Sequence, residues 1–223
     1  MPETELQTLE VGPAGDARAS VIWLHGLGAD GYDFETLVPE LGLIDRAKVR
    51  FVLPHAPYRP VTLNGGQIMR AWYDIRTLDL RQQEDEAGIR ASGAIVEALI
   101  AREAERGVPS QRVILAGFSQ GGAVALHTGL RYGSALAGVL ALSTYLPLPA
   151  ALAAEASAAN RRVPILMAHG LHDDVVPLLA AQLARQILEA QGYAVDWHAY
   201  SMGHALCPDE IVDLRAWLAR RLG

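Results

Sequence analysis

The segment over residues 113–126 constrains the fold of this chain more than any other stretch. An apolar run at its start is short enough for a buried strand, and this run stops at Gly117. Ser119 and Gly121 follow, and then an alanine-rich stretch that is typical of a helix. The pattern Gly-x-Ser-x-Gly between a strand and a helix predicts a tight, strained turn that exposes a serine hydroxyl. Side chains at positions 117 and 121 would collide with the crossing strand and helix, so the turn requires both glycines.

Similar apolar runs recur along the chain and alternate with helical patterns. Strands are predicted at 20–24, 49–53, 113–117, 137–142, 163–168 and 194–200, with a looser edge strand at 6–11. Helices are predicted near 33–41, 84–106, 120–132, 178–191 and 208–222. The alternation predicts an α/β fold, with a mostly parallel sheet covered by helices on both faces. Residues 58–83 hold no regular period and are expected to be irregular, and the length of 223 residues suits a single domain over 1–223.

The overall composition excludes several classes of protein. Hydrophobic residues make up 51% of the chain, which is enough to bury a large core. A formal net charge of -6 disfavours binding to nucleic acid or to an anionic membrane surface. The chain has no uninterrupted apolar span for a membrane helix, and its acidic, polar start does not resemble a secretory signal. We therefore expect a cytoplasmic protein without integral membrane association.

No metal or organic cofactor is predicted. Cys207 is the only cysteine, which excludes an internal disulfide and a metal cluster built from cysteines. His169 and His172 lie close to two aspartates in the sequence, which raises the alternative of a metal site. The open spacing of these residues in one loop, without a further ligand cluster, disfavours that alternative.

Several loops that are rich in glycine, histidine or aspartate follow the predicted strands. They span residues 25–31, 169–177 and 201–205. The carboxyl ends of parallel strands meet at one edge of a sheet, and ligands bind at that edge. We therefore expect these loops and Ser119 to lie at the same edge.

Ser119 needs partner residues to act as a nucleophile. A serine hydroxyl requires a base, and the base requires an acid that fixes its tautomer. In the α/β-hydrolase arrangement the acid and then the histidine follow the serine, on loops after later strands. His204 lies in such a loop and is the predicted base, whereas His198 lies within an alternating strand and is expected to be a surface or packing residue. Asp173 and Asp174 both remain candidates for the acid at this point.

Backbone amides are expected to stabilise the oxyanion that forms when the serine attacks a carbonyl group. One donor is the N–H of Gln120, the residue after the serine, at the positive end of a helix. The second should come from the loop after an early strand, and His25-Gly26-Leu27-Gly28 supplies it through the Leu27 N–H.

Taken together, these motifs resemble the phospholipase/carboxylesterase family, the small α/β hydrolases that include bacterial carboxylesterases and acyl-protein thioesterases. The resemblance spans nearly the whole chain. It is carried by His25-Gly26-Leu27-Gly28, Pro54-x-Ala56-Pro57, Met69-Arg70-Ala71-Trp72-Tyr73-Asp74, Gly117-Phe118-Ser119-Gln120-Gly121-Gly122, His169-Gly170-x-x-Asp173-x-x-Val176-Pro177 and Gly203-His204.

The resemblance implies roles for individual residues. It implies that the catalytic acid is Asp173, three residues after the His-Gly pair, and that the Leu27 and Gln120 amides form the oxyanion hole. It also places the segment around Trp72 beside the active site, so Trp72 is a candidate for substrate binding. The alternative is that Trp72 packs the long loop onto the sheet. The small size of the family implies that no large lid domain is present.

The resemblance implies a serine carboxylesterase that cleaves short-to-medium acyl esters through an acyl-enzyme, without a cofactor. Its substrate would be a small-molecule ester or a lipid-like molecule, and the resemblance is compatible with a homodimer. Two alternatives remain: an acyl-protein thioesterase or lysophospholipase with the same triad, and a non-catalytic binding module on a hydrolase scaffold.

Overall fold

A seven-stranded sheet forms the centre of the molecule. The computed structural model describes residues 7–77 and 83–223. Its strands are β1 (Thr8–Val11), β2 (Ala19–Leu24), β3 (Val49–Pro54), β4 (Tyr58–Val61), β5 (Gln67–Arg70), β6 (Val113–Phe118), β7 (Gly138–Leu142), β8 (Ile165–Gly170) and β9 (Val195–Tyr200). The strand order is β1-β3-β2-β6-β7-β8-β9, with β4 and β5 in a separate two-stranded sheet. Only β1 runs antiparallel to its neighbour in the large sheet, so the predicted mostly parallel sheet is confirmed.

Helices cover both faces of this sheet, as the alternation of apolar runs and helical patterns predicted. They are α1 (Leu37–Glu40), α2 (Ile44–Ala47), α3 (Glu86–Glu105), α4 (Gln120–Arg131), α5 (Pro149–Glu155), α6 (Leu178–Ala190) and α7 (Pro208–Leu222). Alternate residues of each strand point to opposite faces. Along β2, Ile22 joins the core that holds α3 and α4, whereas Val21 joins the core that holds α7. None of the helices in the described parts of the chain is long and apolar enough to cross a membrane.

The structure differs from the predicted elements in the first third of the chain. Instead of one helix over 33–41, it has a 3₁₀ turn (Gly31–Phe34) and the short helix α1. Pro39 lacks the amide hydrogen that a longer helix needs, and Gly42 ends the segment with φ +67°. The antiparallel pair of β4 and β5 lies in the segment that was expected to be irregular.

The hairpin escaped prediction because its strands are short and largely exposed, so they carry no alternating apolar pattern. Residues 78–82 of the same segment, and residue 6 of the predicted edge strand, lie outside the described residues. The other large-sheet strands lie within two residues of their predicted bounds. Their carboxyl ends therefore bring the loops named above to one edge of the sheet, as expected.

Candidate active site

Ser119 lies in the turn between β6 and α4, at the edge where these loops meet. Its φ of +55° is rare for a residue other than glycine, which agrees with the predicted strained turn. A Cβ atom on Gly117 would overlap the backbone of Gly121, and one on Gly121 would overlap the carbonyl group of Leu24. The two glycines thus allow strand and helix to approach closely enough to form the turn.

Hydrogen bonds to the Ser119 backbone hold this strained conformation in place. The Ser119 N–H donates to the Leu142 carbonyl over 2.8 Å. The Ser119 carbonyl accepts from the Ala123 N–H over 3.1 Å and from the Thr144 hydroxyl over 2.7 Å. Because these partners lie on β7, on α4 and in the loop after β7, the position of Ser119 is set by three different elements.

His204 and Asp173 are joined by a short hydrogen bond between the loops that follow β9 and β8. The His204 Nδ1–H donates to Asp173 Oδ2 over 2.7 Å. The other carboxylate oxygen, Oδ1, accepts from the amides of Val175 and Val176, over 3.0 and 2.8 Å. One oxygen therefore orients the histidine while the other fixes the carboxylate in its loop, and the second ring nitrogen of His204, Nε2, is not used in this contact.

Close backbone packing joins the loops after β8 and β9, and a ring contact links His204 to Phe118, the residue before Ser119. A Cβ atom on Gly170 would overlap the carbonyl oxygens of Met202 and Gly203, so the ends of β8 and β9 lie in direct contact. The ring of Phe118 lies 4.7 Å from the ring of His204, centroid to centroid. Within the described residues no hydrogen bond joins Ser119 Oγ to His204. Such bonds often tighten only when substrate binds, so this geometry fits the predicted roles, which stay predictions.

The competing candidates from the sequence lie elsewhere. His198 is partly exposed and contacts Asp196 over 3.0 Å and Asp213, on α7, over 3.4 Å, as a surface or packing residue would. Asp174 is exposed, whereas Asp173 is buried against the histidine. The structure therefore brings Asp173 and His204 together and leaves His198 and Asp174 apart from them.

The two amides predicted for the oxyanion hole lie on segments that adjoin Ser119. A Cβ atom on Gly26 would lie 3.5 Å from the Cβ atom of Ser119, so the loop before Leu27 packs directly against the serine. Gln120 is the first residue of α4, where helix amides have no partner within the helix. Among the described residues, neither the Leu27 N–H nor the Gln120 N–H donates a hydrogen bond to another protein group. Both amides are thus available to an oxyanion.

His25 fixes the loop that carries Leu27. The Ala56 N–H donates to His25 Nε2 over 2.9 Å, so the ring proton is on Nδ1, which donates to the Gly26 carbonyl over 2.7 Å. Burial lowers the pKa of His25 to about 4, which keeps the ring neutral and this tautomer in place. The histidine therefore links the loop that carries Leu27 to the segment after β3.

Trp72 lies beneath the site and is fully buried. Its indole N–H donates to the His25 carbonyl over 2.9 Å, and its ring packs 5.3 Å from the His25 ring. With 0% of the residue exposed, no surface of Trp72 faces a bound molecule in this structure. The burial favours the packing role over the substrate-binding role that the sequence offered for it.

The side chain of Gln120 has a role that sequence reasoning missed. Its Oε1 accepts from the Trp72 N–H over 2.7 Å, and its Nε2 donates to the Tyr73 carbonyl over 2.8 Å. This amide side chain therefore ties the segment after β5 to the start of α4. No local pattern could have indicated the contact, because the partners are 48 residues apart in the chain.

His169 is a second residue whose role the sequence left open. Its Nε2–H donates to the Val176 carbonyl over 2.8 Å and lies 3.4 Å from Asp173 Oδ2. Burial lowers the pKa of His169, which favours the neutral ring, and the ring braces the loop of Asp173. The described residues contain no group of three or more histidine, cysteine, aspartate or glutamate side chains that could hold a metal ion.

Comparisons with known proteins show which families and folds this chain is similar to. A family model described as Phospholipase/Carboxylesterase matches residues 9–222. Acyl-protein thioesterase 1 of Neurospora crassa is 41% identical over 213 residues, which cover 92% of this chain and 87% of the relative. The crystal structure of Zea mays acyl-protein thioesterase 2 has a TM-score of 0.86 at 32% identity, covering 97% of this chain and 99% of that one. The structure of esterase PE8 has a TM-score of 0.81 at 28% identity, covering 98% and 100%.

Proposed function

Because the chain belongs to the phospholipase/carboxylesterase family and is a hydrolase of the serine type, we propose that it hydrolyses acyl thioesters carried by proteins. The observation that carries the choice of bond is the similarity to acyl-protein thioesterases over more than nine-tenths of the chain. From the sequence, a carboxylesterase was the first expectation and a thioesterase the alternative. The relatives favour the alternative.

In the proposed first step, Ser119 Oγ attacks the carbonyl carbon of the thioester. The hydroxyl proton passes to His204 Nε2, and the carbonyl π electrons move onto oxygen, where the Leu27 and Gln120 amides stabilise the negative charge. Asp173 stabilises the imidazolium through the 2.7 Å bond to Nδ1. The C=O bond then re-forms, the C–S bond breaks, and the departing sulfur takes the proton from His204 Nε2.

The second step releases the acyl group as a carboxylic acid. A water molecule attacks the acyl-serine ester while His204 Nε2 removes its proton, and the same two amides stabilise the second oxyanion. When the C–O bond to Ser119 breaks, the proton returns from His204 to Ser119 Oγ. The enzyme is then restored, and the balance is one thioester and one water to one acid and one thiol.

Exposed apolar side chains beside the site support an acyl chain as the group transferred. Leu171 and Val175, in the loop of Asp173, are 47% and 59% exposed. Met69, in β5, is half-buried, and its sulfur lies 3.8 Å from where a Cβ atom on Gly28 would be, next to the Leu27 amide. Apolar side chains left in water near a reactive centre are typical of surfaces that receive an apolar ligand.

Hydrolysis of carboxylic esters is the second candidate function. It is favoured by the description of the matching family model and by the similarity to esterase PE8. The same serine, histidine and amides would serve both bonds, so the choice between them depends on the leaving group and on the surface that binds it.

A fluorophosphonate probe and a matched substrate series test the proposal. The wild-type protein should be labelled covalently, and Ser119→Ala should not. The series should pair an acyl-cysteine peptide with the corresponding acyl-serine peptide, so that only sulfur and oxygen differ. We expect kcat/KM to be at least about tenfold higher for the thioester after correction for the uncatalysed rates.

The outcomes separate the candidates. A labelled enzyme that prefers the oxygen ester would replace the thioesterase proposal by the carboxylesterase one. A wild-type protein that is neither labelled nor active would contradict both and favour a binding module.

A further inference from the structure

The peptide that joins Ser119 to Gln120 contributes the carbonyl group of one residue and the N–H group of the next. In a planar trans peptide the C=O and N–H bonds point in opposite directions. A group that fixes the direction of the Ser119 carbonyl therefore also fixes the direction of the Gln120 N–H, which is one of the two proposed oxyanion donors.

Thr144 supplies such a group. Its hydroxyl donates to the Ser119 carbonyl over 2.7 Å, and the residue is only 1% exposed. The same carbonyl accepts the first hydrogen bond of α4, from the Ala123 N–H over 3.1 Å. Two donors from different parts of the chain thus occupy both acceptor positions of one carbonyl oxygen, which restricts rotation of the whole peptide plane.

The position of Thr144 is itself tightly defined. A Cβ atom on Gly122 would lie 2.8 Å from its Cγ2 and 2.9 Å from its Cβ, so the side chain fills the space beside that glycine. The preceding residue, Ser143, has a φ of +46°, and its N–H donates to the Ala168 carbonyl over 2.8 Å. Contacts to α4 and β8 therefore hold the hydroxyl in place.

The other proposed oxyanion peptide is held in the same way. The Gly26 carbonyl, which shares its peptide plane with the Leu27 N–H, accepts from His25 Nδ1 over 2.7 Å and from the Ala29 N–H over 3.3 Å. Each of the two peptides therefore has one buried side-chain donor and one backbone donor on its carbonyl oxygen. The same arrangement at both peptides indicates that these hydrogen bonds hold the two N–H groups in fixed directions.

We propose that Thr144 is a positioning residue, whose hydroxyl aims the Gln120 N–H at the oxyanion through the Ser119 carbonyl. The inference rests on the proposed function, because it assumes that this amide stabilises a tetrahedral intermediate. A hydrogen bond to the carbonyl also polarises the peptide and strengthens its N–H as a donor. Thr144 itself touches neither the substrate nor the reacting atoms.

The expected effect follows from the cost of losing an oxyanion donor. Removing such a donor outright lowers kcat by about 10²–10³-fold in enzymes of this type. Loss of the Thr144 hydroxyl leaves the amide present but less well directed, so we expect a smaller decrease in kcat, about tenfold. Ground-state binding does not use the oxyanion, so KM should stay within about twofold.

Four variants test the inference. Thr144→Val keeps the branched shape and loses the hydroxyl, whereas Thr144→Ser keeps the hydroxyl and loses the methyl group. Thr144→Ala also lacks the hydroxyl and cannot overpack, so it serves if the valine variant does not fold. Thr128→Val is the matched control, because Thr128 is equally buried on α4 and its hydroxyl has no partner among the described residues.

Steady-state kinetics should be combined with the affinity for a trifluoromethyl ketone, which forms a tetrahedral adduct with the serine. Thr144→Val and Thr144→Ala should lower kcat and the affinity for this ketone by the same factor, whereas Thr144→Ser and Thr128→Val should match the wild type. The inference would be overturned if the valine, alanine and serine variants all had the same kcat. It would also be overturned if the variants changed KM and left kcat unchanged. An inactive wild-type protein would instead contradict the proposed function.

Discussion

His204 has its two ring nitrogens in different environments, and this difference underlies its proposed role. Nδ1 is bonded to Asp173, which is buried and held by two backbone amides. Nε2 has no hydrogen-bond partner among the described residues. An imidazole whose Nδ1 carries the proton presents a lone pair on Nε2, which is the form that a general base requires.

Replacing this histidine should abolish the reaction. We expect His204→Ala to lower kcat by about 10⁴–10⁶-fold, because the serine loses its base. His198→Ala is the matched control, since the contacts of His198 with Asp196, Asp213 and Tyr200 lie outside the proposed triad, and its kcat should stay within about twofold of the wild type. The measurement is single-turnover hydrolysis of the acyl-cysteine peptide. A large loss in the control, with little loss in His204→Ala, would reverse the assignment.

The turn between β6 and α4 depends on how closely three elements pack. Gly117 and Gly121 face each other across the turn, and Gly121 also faces the end of β2. None of these contacts leaves room for a methyl group, and backbone atoms cannot move aside as the end of a flexible side chain can. Glycine is required at both positions because a side chain would overlap backbone atoms there.

An alanine at this turn should therefore destabilise the fold. We expect Gly121→Ala to lower the free energy of unfolding by about 3 kcal/mol or more, because the new methyl group would overlap the carbonyl groups of Leu24 and His25. This corresponds to a decrease in Tm of roughly 6–12 °C for a chain of this size. Gly133→Ala is the control, since nothing lies within 4 Å of a Cβ atom there. Equal thermal shifts for both variants would contradict the packing argument.

Two buried carboxyl groups have different surroundings, because that of Glu103 is paired with an arginine and that of Glu210 is not. Arg50 and Glu103 form a buried ion pair, with 1% and 0% of their side chains exposed. Arg50 also donates hydrogen bonds to the carbonyl groups of Pro13 and Ala14. Glu210, in the first turn of α7, is equally buried, but no arginine or lysine pairs with its carboxyl group in the described parts of the chain. Burial raises the pKa of Glu210 to about 8.

This carboxyl group should make stability depend on pH. Between the ordinary pKa of 4.5 and the folded value of about 8, the folded protein holds a proton that the unfolded chain has released. The free energy of unfolding should therefore fall as the pH rises through this window. Glu210→Gln removes the carboxyl group that titrates. Between about pH 5 and about pH 8, the Tm of this variant should therefore decrease less than the Tm of the wild type, by a difference of about 5 °C.

Thermal unfolding followed by circular dichroism checks this expectation. Glu97→Gln, at an exposed position on α3, is the control and should keep the pH dependence of the wild type. Equal pH dependence of Tm for Glu210→Gln and the wild type would contradict it.

The cytoplasmic location, the homodimer and the exclusion of nucleic acid stay predictions.

Much of this architecture followed from local patterns. The strands were predictable because a buried parallel strand needs a short continuous apolar run, and such runs can be found without knowing their neighbours. The glycines of the turn were likewise visible, as was the order of Ser119, an aspartate at 173 or 174, and His204, since chain order and residue type suffice to propose them. The choice of Asp173 over Asp174 came from the family resemblance. The exposed hairpin was not, because exposed strands have no apolar pattern to detect.

Other features were decided only by the packing of distant segments. That Trp72 lies under the site, that the Gln120 side chain ties two segments together, and that Thr144 bonds to the Ser119 carbonyl depend on contacts between residues 25–48 positions apart. The direction of a side chain or a peptide plane is set by the elements that surround it, and these meet only when the sheet has formed. The sequence thus determined which groups are present and in what order, whereas the tertiary structure determined where each of them points.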